Sequence, residues 1–317
     1  MKGKYRLSIY DSKVHFDLEL ERNITIIKGR SGTGKSTFYN MVVTLLSTNG
    51  KSSVHCNCKD KLRILDWHSN WGDEINNSHN KIFIADEHTH YIFTNEFARV
   101  VRNSDNYFIF ITRSGKLTNL GYSIDSIFEL VTEKNNDMYI TKLCKRYVYE
   151  EENIKPDLVI TEDSNSGFEM IKSVMNCTVI SSKGNSNVYK TLMENRSRYN
   201  RIYIIVDGAA FGAFFERLMV MVDNTNVYLF APESFEFMLL CEKTFMSKLT
   251  DELTKTYNYC DTTEFAHWEQ YYTYLLDELC KKYFGVTYKK KTLDKFFKTD
   301  NFKEHIKNML KDLVIDD

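Results

Sequence analysis

A glycine-rich segment followed by a lysine and a serine carries the most specific chemical signal in this sequence. Its residues are Gly29-Arg30-Ser31-Gly32-Thr33-Gly34-Lys35-Ser36, which fit the pattern G-x-x-x-x-G-K-[ST] at every fixed position. Glycines let backbone amides curl around a polyphosphate, and a helix that begins here adds the positive end of its dipole. The pattern therefore predicts a phosphate-binding segment that extends to Thr37, in which Lys35 reaches the β- and γ-phosphates and Ser36 holds Mg²⁺.

Two acidic residues follow a short apolar run 51 positions after Lys35. Four apolar residues precede Asp86-Glu87, which is typical of a buried strand that ends in a carboxylate pair. We expect Asp86 to hold magnesium through water and Glu87 to polarise an attacking water molecule. The next apolar run ends at Thr112-Arg113, whose side chains are candidates for contact with a terminal phosphate. An ordinary strand end explains these last two residues equally well.

Two more acidic residues follow apolar runs in the second half of the chain. Glu162 comes after Leu158-Val159-Ile160-Thr161, and Asp207, 45 positions later, comes after Ile202-Tyr203-Ile204-Ile205-Val206. Carboxylates at neighbouring strand ends suit Mg²⁺, which prefers oxygen ligands. Glu162 and Asp207 are therefore candidate metal ligands. The alternative is an inert scaffold with two acids at its strand ends.

The elements that must position these residues are strands with helices between them. We predict strands at residues 5–10, 14–20, 23–28, 62–65, 81–85 and 107–111, and a strand pair at 126–130 and 138–143. A helix is predicted from Ser36 to Leu46. After the acidic run at 150–152 the pattern restarts, with strands near 158–160, 178–180, 202–206 and 227–230 separated by helical segments. This alternation predicts a parallel sheet covered by helices.

These elements predict an α/β protein in three parts. Residues 1–150 form a phosphate-loop NTPase domain, residues 151–235 a second, Rossmann-like α/β domain, and residues 236–317 a helical, locally basic region. Within the last part, residues 281–307 hold nine lysines and three acidic residues, with aromatic residues between them. That mixture suits contacts with a nucleic-acid backbone and its bases, although a lysine-rich face is more often simply solvated.

Composition excludes several classes of protein. Hydrophobic residues make up 43% and charged residues 27% of the 317 residues, which excludes a disordered chain. The net charge of −1 excludes a uniformly basic protein but not a local basic face. An odd number of cysteines, seven, does not favour a disulfide framework. Because no apolar run is long enough to span a membrane and the start lacks a signal-peptide core, we expect a cytoplasmic protein without a membrane partner.

Residues 1–150 resemble P-loop ATPases of the ABC-like and AAA-like kind. The glycine-rich segment and Asp86-Glu87 carry the resemblance, and the opening β-meander before Gly29 looks like the start of an ABC-type domain. The sequence contains no L-S-G-G-Q signature, so it departs from the ABC pattern. The resemblance implies that ATP and Mg²⁺ are the cofactors, that ATP is hydrolysed, and that Lys35, Glu87 and Thr112 take part in catalysis.

Residues 151–235 resemble the TOPRIM fold, the Mg²⁺ unit of primases, topoisomerases and OLD-family nucleases. That family has a glutamate after its first strand and D-x-D after a later one. Glu162 matches the glutamate and Asp207 the first aspartate, but Ala209 stands where the third acid is expected. An ATPase followed by a TOPRIM-like domain is similar to the OLD-family arrangement, which implies DNA repair, antiviral defence or maintenance of mobile elements.

Two functions are compatible with these resemblances. In the first, an ATPase domain drives or gates a TOPRIM-like domain, with nucleic acid as a partner and nuclease activity left open. In the second, ATP switches a binding or regulatory module whose TOPRIM-like domain is an inactive scaffold. A protein partner or a second copy of the chain is expected in both.

Overall fold

The computed structural model describes residues 2–48, 51–113, 117–148, 154–222 and 226–310. The chain divides into two compact units. The first comprises Met1–Val148 together with Lys255–Ala266, and the second comprises Tyr149–Thr254 together with His267–Asp317. The helices after residue 235, predicted as a region of their own, thus belong to the same unit as the second sheet.

The described part of the first unit contains a nine-stranded sheet with the order β4-β1-β2-β9-β8-β3-β7-β6-β5. Its strands are β1 (Tyr5–Tyr10), β2 (Val14–Leu20), β3 (Ile24–Lys28), β4 (His55–Cys56), β5 (Leu62–Leu65), β6 (Ile82–Asp86), β7 (Tyr107–Ile111), β8 (Ile127–Asn135) and β9 (Met138–Lys145). Its helices are α1 (Lys35–Ser47), α2 (Trp71–Asn76) and α3 (Asn95–Arg102). The strands predicted at 62–65 and 107–111 are confirmed with the same bounds.

Strands β8, β3, β7, β6 and β5 run parallel to one another. Strand β7 lies between β3 and β6, with Ile111 paired both to Ile27 and to Asp86. The carboxyl ends of these three strands therefore meet at one edge of the sheet, where the glycine-rich loop (residues 29–34), Glu87 and Thr112 follow them.

The predicted opening meander is wrong, because β3 does not pair with β2. Strands β1 and β2 form an antiparallel hairpin, and β2 then pairs with β9, whereas β3 pairs with β7 and β8. The reason is burial: all five residues of β3 are buried. A strand that is apolar on both faces belongs in the middle of a parallel sheet, with a strand on each side.

The described part of the second unit contains a four-stranded sheet with the order β11-β10-β12-β13, and all three pairings are parallel. Its strands are β10 (Leu158–Thr161), β11 (Thr178–Ser181), β12 (Ile202–Ile205) and β13 (Val227–Phe230). Its helices are α4 (Ser166–Val174), α5 (Val188–Asn195), α6 (Gly212–Val222), α7 (Phe235–Leu240), α8 (Lys243–Met246), α9 (Trp268–Phe284) and α10 (Asp300–Met309). The parallel sheet predicted from the alternating strands and helices is confirmed.

Aromatic residues of the lysine-rich segment pack inside the second unit. The rings of Phe296, Phe297 and Phe302 lie 5.1 to 5.5 Å from one another, and each also lies near Phe245. Phe297 and Phe302 are buried, as is Tyr288. The rings of Tyr288, Phe297 and Phe302 therefore contribute to the core and are not available for base stacking. This removes part of the sequence argument for nucleic-acid contact here.

Candidate functional site

The glycine-rich loop joins β3 to the first residue of α1, and its backbone requires glycine. Gly29, Gly32 and Gly34 have φ angles of 143°, 87° and 90°, which side chains with a Cβ rarely adopt. At Gly29 a Cβ atom would also lie 3.2 Å from Thr33 Oγ1. The loop leads into a 13-residue helix whose first-turn N–H groups lack intrahelical partners. Loop and helix together form a concave backbone surface suited to an anion.

The amine of Lys35 is folded back onto this loop. Its Nζ donates to the carbonyl oxygens of Gly29 at 2.6 Å and Arg30 at 2.7 Å, and to Thr33 Oγ1 at 3.1 Å. Only 7% of the residue is exposed. Burial lowers the pKa of Lys35, and the positive charge of Arg113 lowers it further. The three hydrogen bonds of the Lys35 amine are thus made to the loop itself, at the place where the sequence predicts that a phosphate binds.

The acidic pair lies at the end of β6, and β7 separates this strand from β3 and the glycine-rich loop. Asp86 Oδ1 accepts a hydrogen bond from the backbone N–H of His88 at 3.0 Å. Glu87 Oε2 accepts one from the backbone N–H of Arg113 at 2.8 Å, and Arg113 Nε lies 3.8 Å from Glu87 Oε1. The end of β7 therefore holds the Glu87 carboxylate in place.

These predicted residues surround a single pocket. It is lined by Lys35, Ser36, Tyr39, Asn40, Asp86, Glu87, His88, Ile111, Thr112 and Arg113. The structure thus brings together all the predicted side chains of the first unit that follow the loop, except Thr37. Thr112 is buried at this edge, where its backbone N–H donates to Ile27 O at 3.1 Å.

Sequence reasoning missed Tyr39 and Asn40, which also line the pocket. Both were detectable, since they lie four residues after Lys35 and Ser36 and this spacing places them on the same face of a helix. Burial raises the pKa of Tyr39 to about 12, and the nearby negative charge of Asp86 contributes. The Tyr39 hydroxyl therefore keeps its proton and remains a hydrogen-bond donor in this pocket.

In the second unit, Glu162 and Asp207 lie side by side at the carboxyl ends of β10 and β12. Glu162 Oε2 accepts a hydrogen bond from the backbone N–H of Asp207 at 3.1 Å, and Asp207 Oδ1 accepts one from that of Phe235 at 3.0 Å. Burial raises the pKa of Glu162 to about 7, and burial together with the neighbouring acids raises that of Asp207. The two carboxylates lie at neighbouring strand ends, as the sequence predicts, but their burial was not predicted from the sequence.

Two further acids and a lysine join them, and sequence reasoning missed all three. Glu236 is fully buried in the first turn of α7, where Oε1 accepts from Tyr288 OH at 2.8 Å and Oε2 has no hydrogen-bond partner. Glu269, in the first turn of α9, forms an ion pair with Lys290. No common spacing links these residues, so only the fold reveals them. We call Glu162, Asp207, Glu236 and Glu269 the carboxylate cluster.

No carboxylate stands at the position of the third TOPRIM-type acid, although Asp163 lines the same cavity as Glu162 and Asp207. Ala209 is buried and its backbone N–H donates to Glu233 O at 3.0 Å. Asp163 accepts hydrogen bonds from the backbone N–H groups of Asn165 and Gly167 just before and within α4. Across the described ranges, no group of three or more His, Cys, Asp or Glu side chains is arranged to hold a metal ion.

No family model, curated protein or solved structure matches this chain. In the part of the chain that the structure describes, no helix combines the length and the apolar character needed to cross a membrane. Function therefore has to be inferred from the two groups of side chains at the carboxyl edges of the two sheets.

Proposed function

We propose that this protein is a Mg²⁺-dependent ATPase whose nucleotide site lies in the first unit. One observation carries the proposal: Lys35, Ser36 and the Asp86-Glu87 pair line a single pocket beside a loop whose φ angles at Gly29, Gly32 and Gly34 favour glycine. The pocket lies at the carboxyl ends of parallel strands, which is where open α/β sheets bind their ligands.

The side chains present fit a magnesium nucleotide. The three acceptors that hold Lys35 Nζ are all part of the loop, so phosphate oxygens can replace them without any change in the sheet. Ser36 and Asp86 would hold Mg²⁺, Asp86 through water. Two protein groups suffice, because Mg²⁺ keeps several waters and takes its remaining ligands from phosphates. The metal neutralises charge on the phosphates when it is bound.

Each remaining side chain has a role that follows from its position. Glu87 accepts a proton from, or orients, the attacking water, since its carboxylate is fixed at the end of β6 by Arg113 N–H. Thr112 and Arg113 follow β7, between the strand that leads to Lys35 and the strand that ends in Asp86. This position supports a role for Thr112 or Arg113 in contacting the terminal phosphate.

For the whole chain, we favour the ATP-switched module over an ATPase that drives a nuclease. The observation that favours it is in the second unit, where Ala209 stands at the third acid position and Lys290 lies among the carboxylates. The order of an ATPase and a TOPRIM-like domain still supports work on DNA, in repair, antiviral defence or maintenance of mobile elements. Nucleic acid, a protein partner or a second copy remain the proposed partners.

Lys35→Ala tests the ATPase proposal. We expect ATP affinity, measured by calorimetry, to fall by about 10-fold to 150-fold, because one hydrogen bond to a charged group contributes about 1.5–3 kcal/mol. Phosphate release should be lost in the variant, and in the wild type when EDTA removes Mg²⁺. Lys13→Ala, an exposed lysine in the same unit, is the control and should retain both properties. Undiminished ATP affinity in a folded Lys35→Ala protein would refute the nucleotide site.

A second assay separates the two versions of the proposal. Linear, nicked and single-stranded DNA are incubated with the wild type and with Asp207→Ala in Mg²⁺ or Mn²⁺. The switched-module version predicts no strand cleavage by either protein. Cleavage by the wild type that is lost in Asp207→Ala would instead establish a nuclease driven or gated by the ATPase.

A further inference from the structure

We propose that Lys290 is the built-in cation of the carboxylate cluster, in the place where a TOPRIM-like domain would hold a divalent metal ion. The metal implied by the resemblance therefore does not fit this unit, and no metal-dependent step follows from it. This inference concerns the second unit alone and does not depend on ATP binding in the first.

The segment that carries Lys290 is fixed at three points. Lys290 O accepts a hydrogen bond from the backbone N–H of Ser166, the first residue of α4, at 3.2 Å. Two residues earlier, the Tyr288 backbone N–H donates to Asp277 Oδ1 of α9 at 3.0 Å. The Tyr288 hydroxyl donates to Glu236 of α7 and lies 3.1 Å from Ser166 Oγ. The main chain that carries Lys290 is thus held in place by α4, α7 and α9.

The ammonium group of Lys290 serves the whole cluster. It contacts the Glu269 carboxylate directly. Its positive charge also favours the ionised forms of Glu162, Asp207 and Glu236. Burial opposes the charge on Lys290, but Glu236, Glu269 and Asp207 outweigh it and raise the pKa of the amine. Lys290 therefore remains a cation beside the carboxylate cluster, with 36% of its side chain exposed.

Protons supply the rest of the charge balance. One ammonium faces the four carboxyl groups of the cluster, Asp163 adds a fifth acid beside Glu162, and His267 Nδ1 lies 3.7 Å from Glu269 Oε2. Burial raises the pKa of Glu162, Asp207 and Glu236, and neighbouring acids add to the effect, so part of the cluster is neutral near neutral pH. Lys290 and bound protons thus reduce the negative charge that a divalent cation would otherwise compensate.

The oxygen atoms of the cluster are also partly used. Glu162 Oε2 and Asp207 Oδ1 accept backbone N–H groups, Glu236 Oε1 accepts Tyr288, and Glu269 Oε1 contacts Lys290. Glu236 Oε2 has no hydrogen-bond partner, but a metal ion at these carboxylates would have to approach the ammonium group, which repels it. The missing acid at Ala209 removes a ligand that would have offset this cost.

Binding of Mn²⁺, followed by electron paramagnetic resonance without nucleotide and in a Lys35→Ala background, tests the proposal. The Lys290-containing protein and its Asp207→Asn variant should take up the same amount of Mn²⁺. Lys290→Met keeps the length of the side chain without its charge, and it should bind Mn²⁺ at least about tenfold more tightly. This gain should disappear in the Lys290→Met/Asp207→Asn double variant and be absent from Lys290→Arg.

Two results would overturn the proposal. The first is Mn²⁺ binding by the Lys290-containing protein that Asp207→Asn abolishes, since the metal would then coexist with the lysine. The second is a folded Lys290→Met protein that gains no Asp207-dependent Mn²⁺ site, since the lysine would then not be what excludes metal. If Lys290→Met does not fold, the comparison of the Lys290-containing protein with Asp207→Asn still decides the question.

Discussion

Replacing Glu87 with glutamine separates its structural role from its proposed role in hydrolysis. The amide keeps an oxygen that can accept the Arg113 backbone N–H, now bonded at 2.8 Å. What is lost is the ionic contact at 3.8 Å between two side chains that are 32% and 58% exposed. Exposed ion pairs contribute about 0–1 kcal/mol, so Glu87→Gln should lower the free energy of unfolding by less than about 1 kcal/mol.

The effect on hydrolysis should be far larger. Glutamine cannot accept a proton, and general-base catalysis contributes about 100-fold to 10,000-fold in rate. We therefore expect the rate of phosphate release to fall by about 100-fold or more while ATP affinity is retained, because Lys35 and the glycine-rich loop are unchanged. The variant should accumulate bound ATP.

Single-turnover hydrolysis of radiolabelled ATP, together with thermal unfolding, measures both quantities in the same samples. Glu133→Gln, an exposed residue of β8, is the matched control and should hydrolyse ATP as the wild type does. If Glu87→Gln hydrolyses ATP at the wild-type rate, Glu87 is not the base. If it loses ATP affinity as well, the pocket binds nucleotide in another way.

Two predictions concern the stability of the second unit. Tyr288→Phe leaves Glu236 Oε1 without its donor inside the core, so it should lower the free energy of unfolding by about 1–3 kcal/mol in urea titrations. The exposed control Tyr283→Phe should change it little, and equal effects would contradict the proposed hydrogen bond. The pKa of Glu162 is about 7 in the folded chain against an ordinary value of 4.5, so the unfolded chain binds fewer protons between these values. Stability should therefore fall as pH rises from about 4.5 to about 7, and a Glu162→Gln variant with the same pH dependence as the wild type would contradict this assignment.

Local patterns in the sequence predicted the elements better than their pairing. The runs at 62–65 and 107–111 contain enough apolar residues to define a strand within a few positions, and the structure has strands there. The partner of β3 could not be predicted in the same way, because pairing depends on residues about 80 and 100 positions away. The return of Lys255–Ala266 to the first unit is non-local for the same reason.

The same contrast holds for the candidate sites. The glycine-rich loop, Lys35 and Ser36 are contiguous, so their spacing alone predicts the local geometry. Asp86 and Glu87 needed only the rule that parallel strands share a carboxyl edge. Glu236, Glu269 and Lys290 come from three separate segments, and no spacing in the sequence links them. Glutamate and lysine are usually exposed, so only the packing of the helices shows that these residues lie together.

Two lysines with internal partners, Lys35 and Lys290, lead to opposite expectations for the two sites. The amine of Lys35 is held only by groups of its own loop, and phosphate oxygens offer the same kind of acceptor with more charge. Exchange of these partners costs little, so the first site is suited to binding and release. Lys290 is held through its main chain and its ammonium group, and its removal leaves buried carboxylates without a counter-ion. Because 36% of the Lys290 side chain is exposed, water offsets part of this loss, and the remainder opposes removal of the ammonium group. Chemistry that turns over is therefore expected at Lys35, and a fixed charge that stabilises the fold is expected at Lys290.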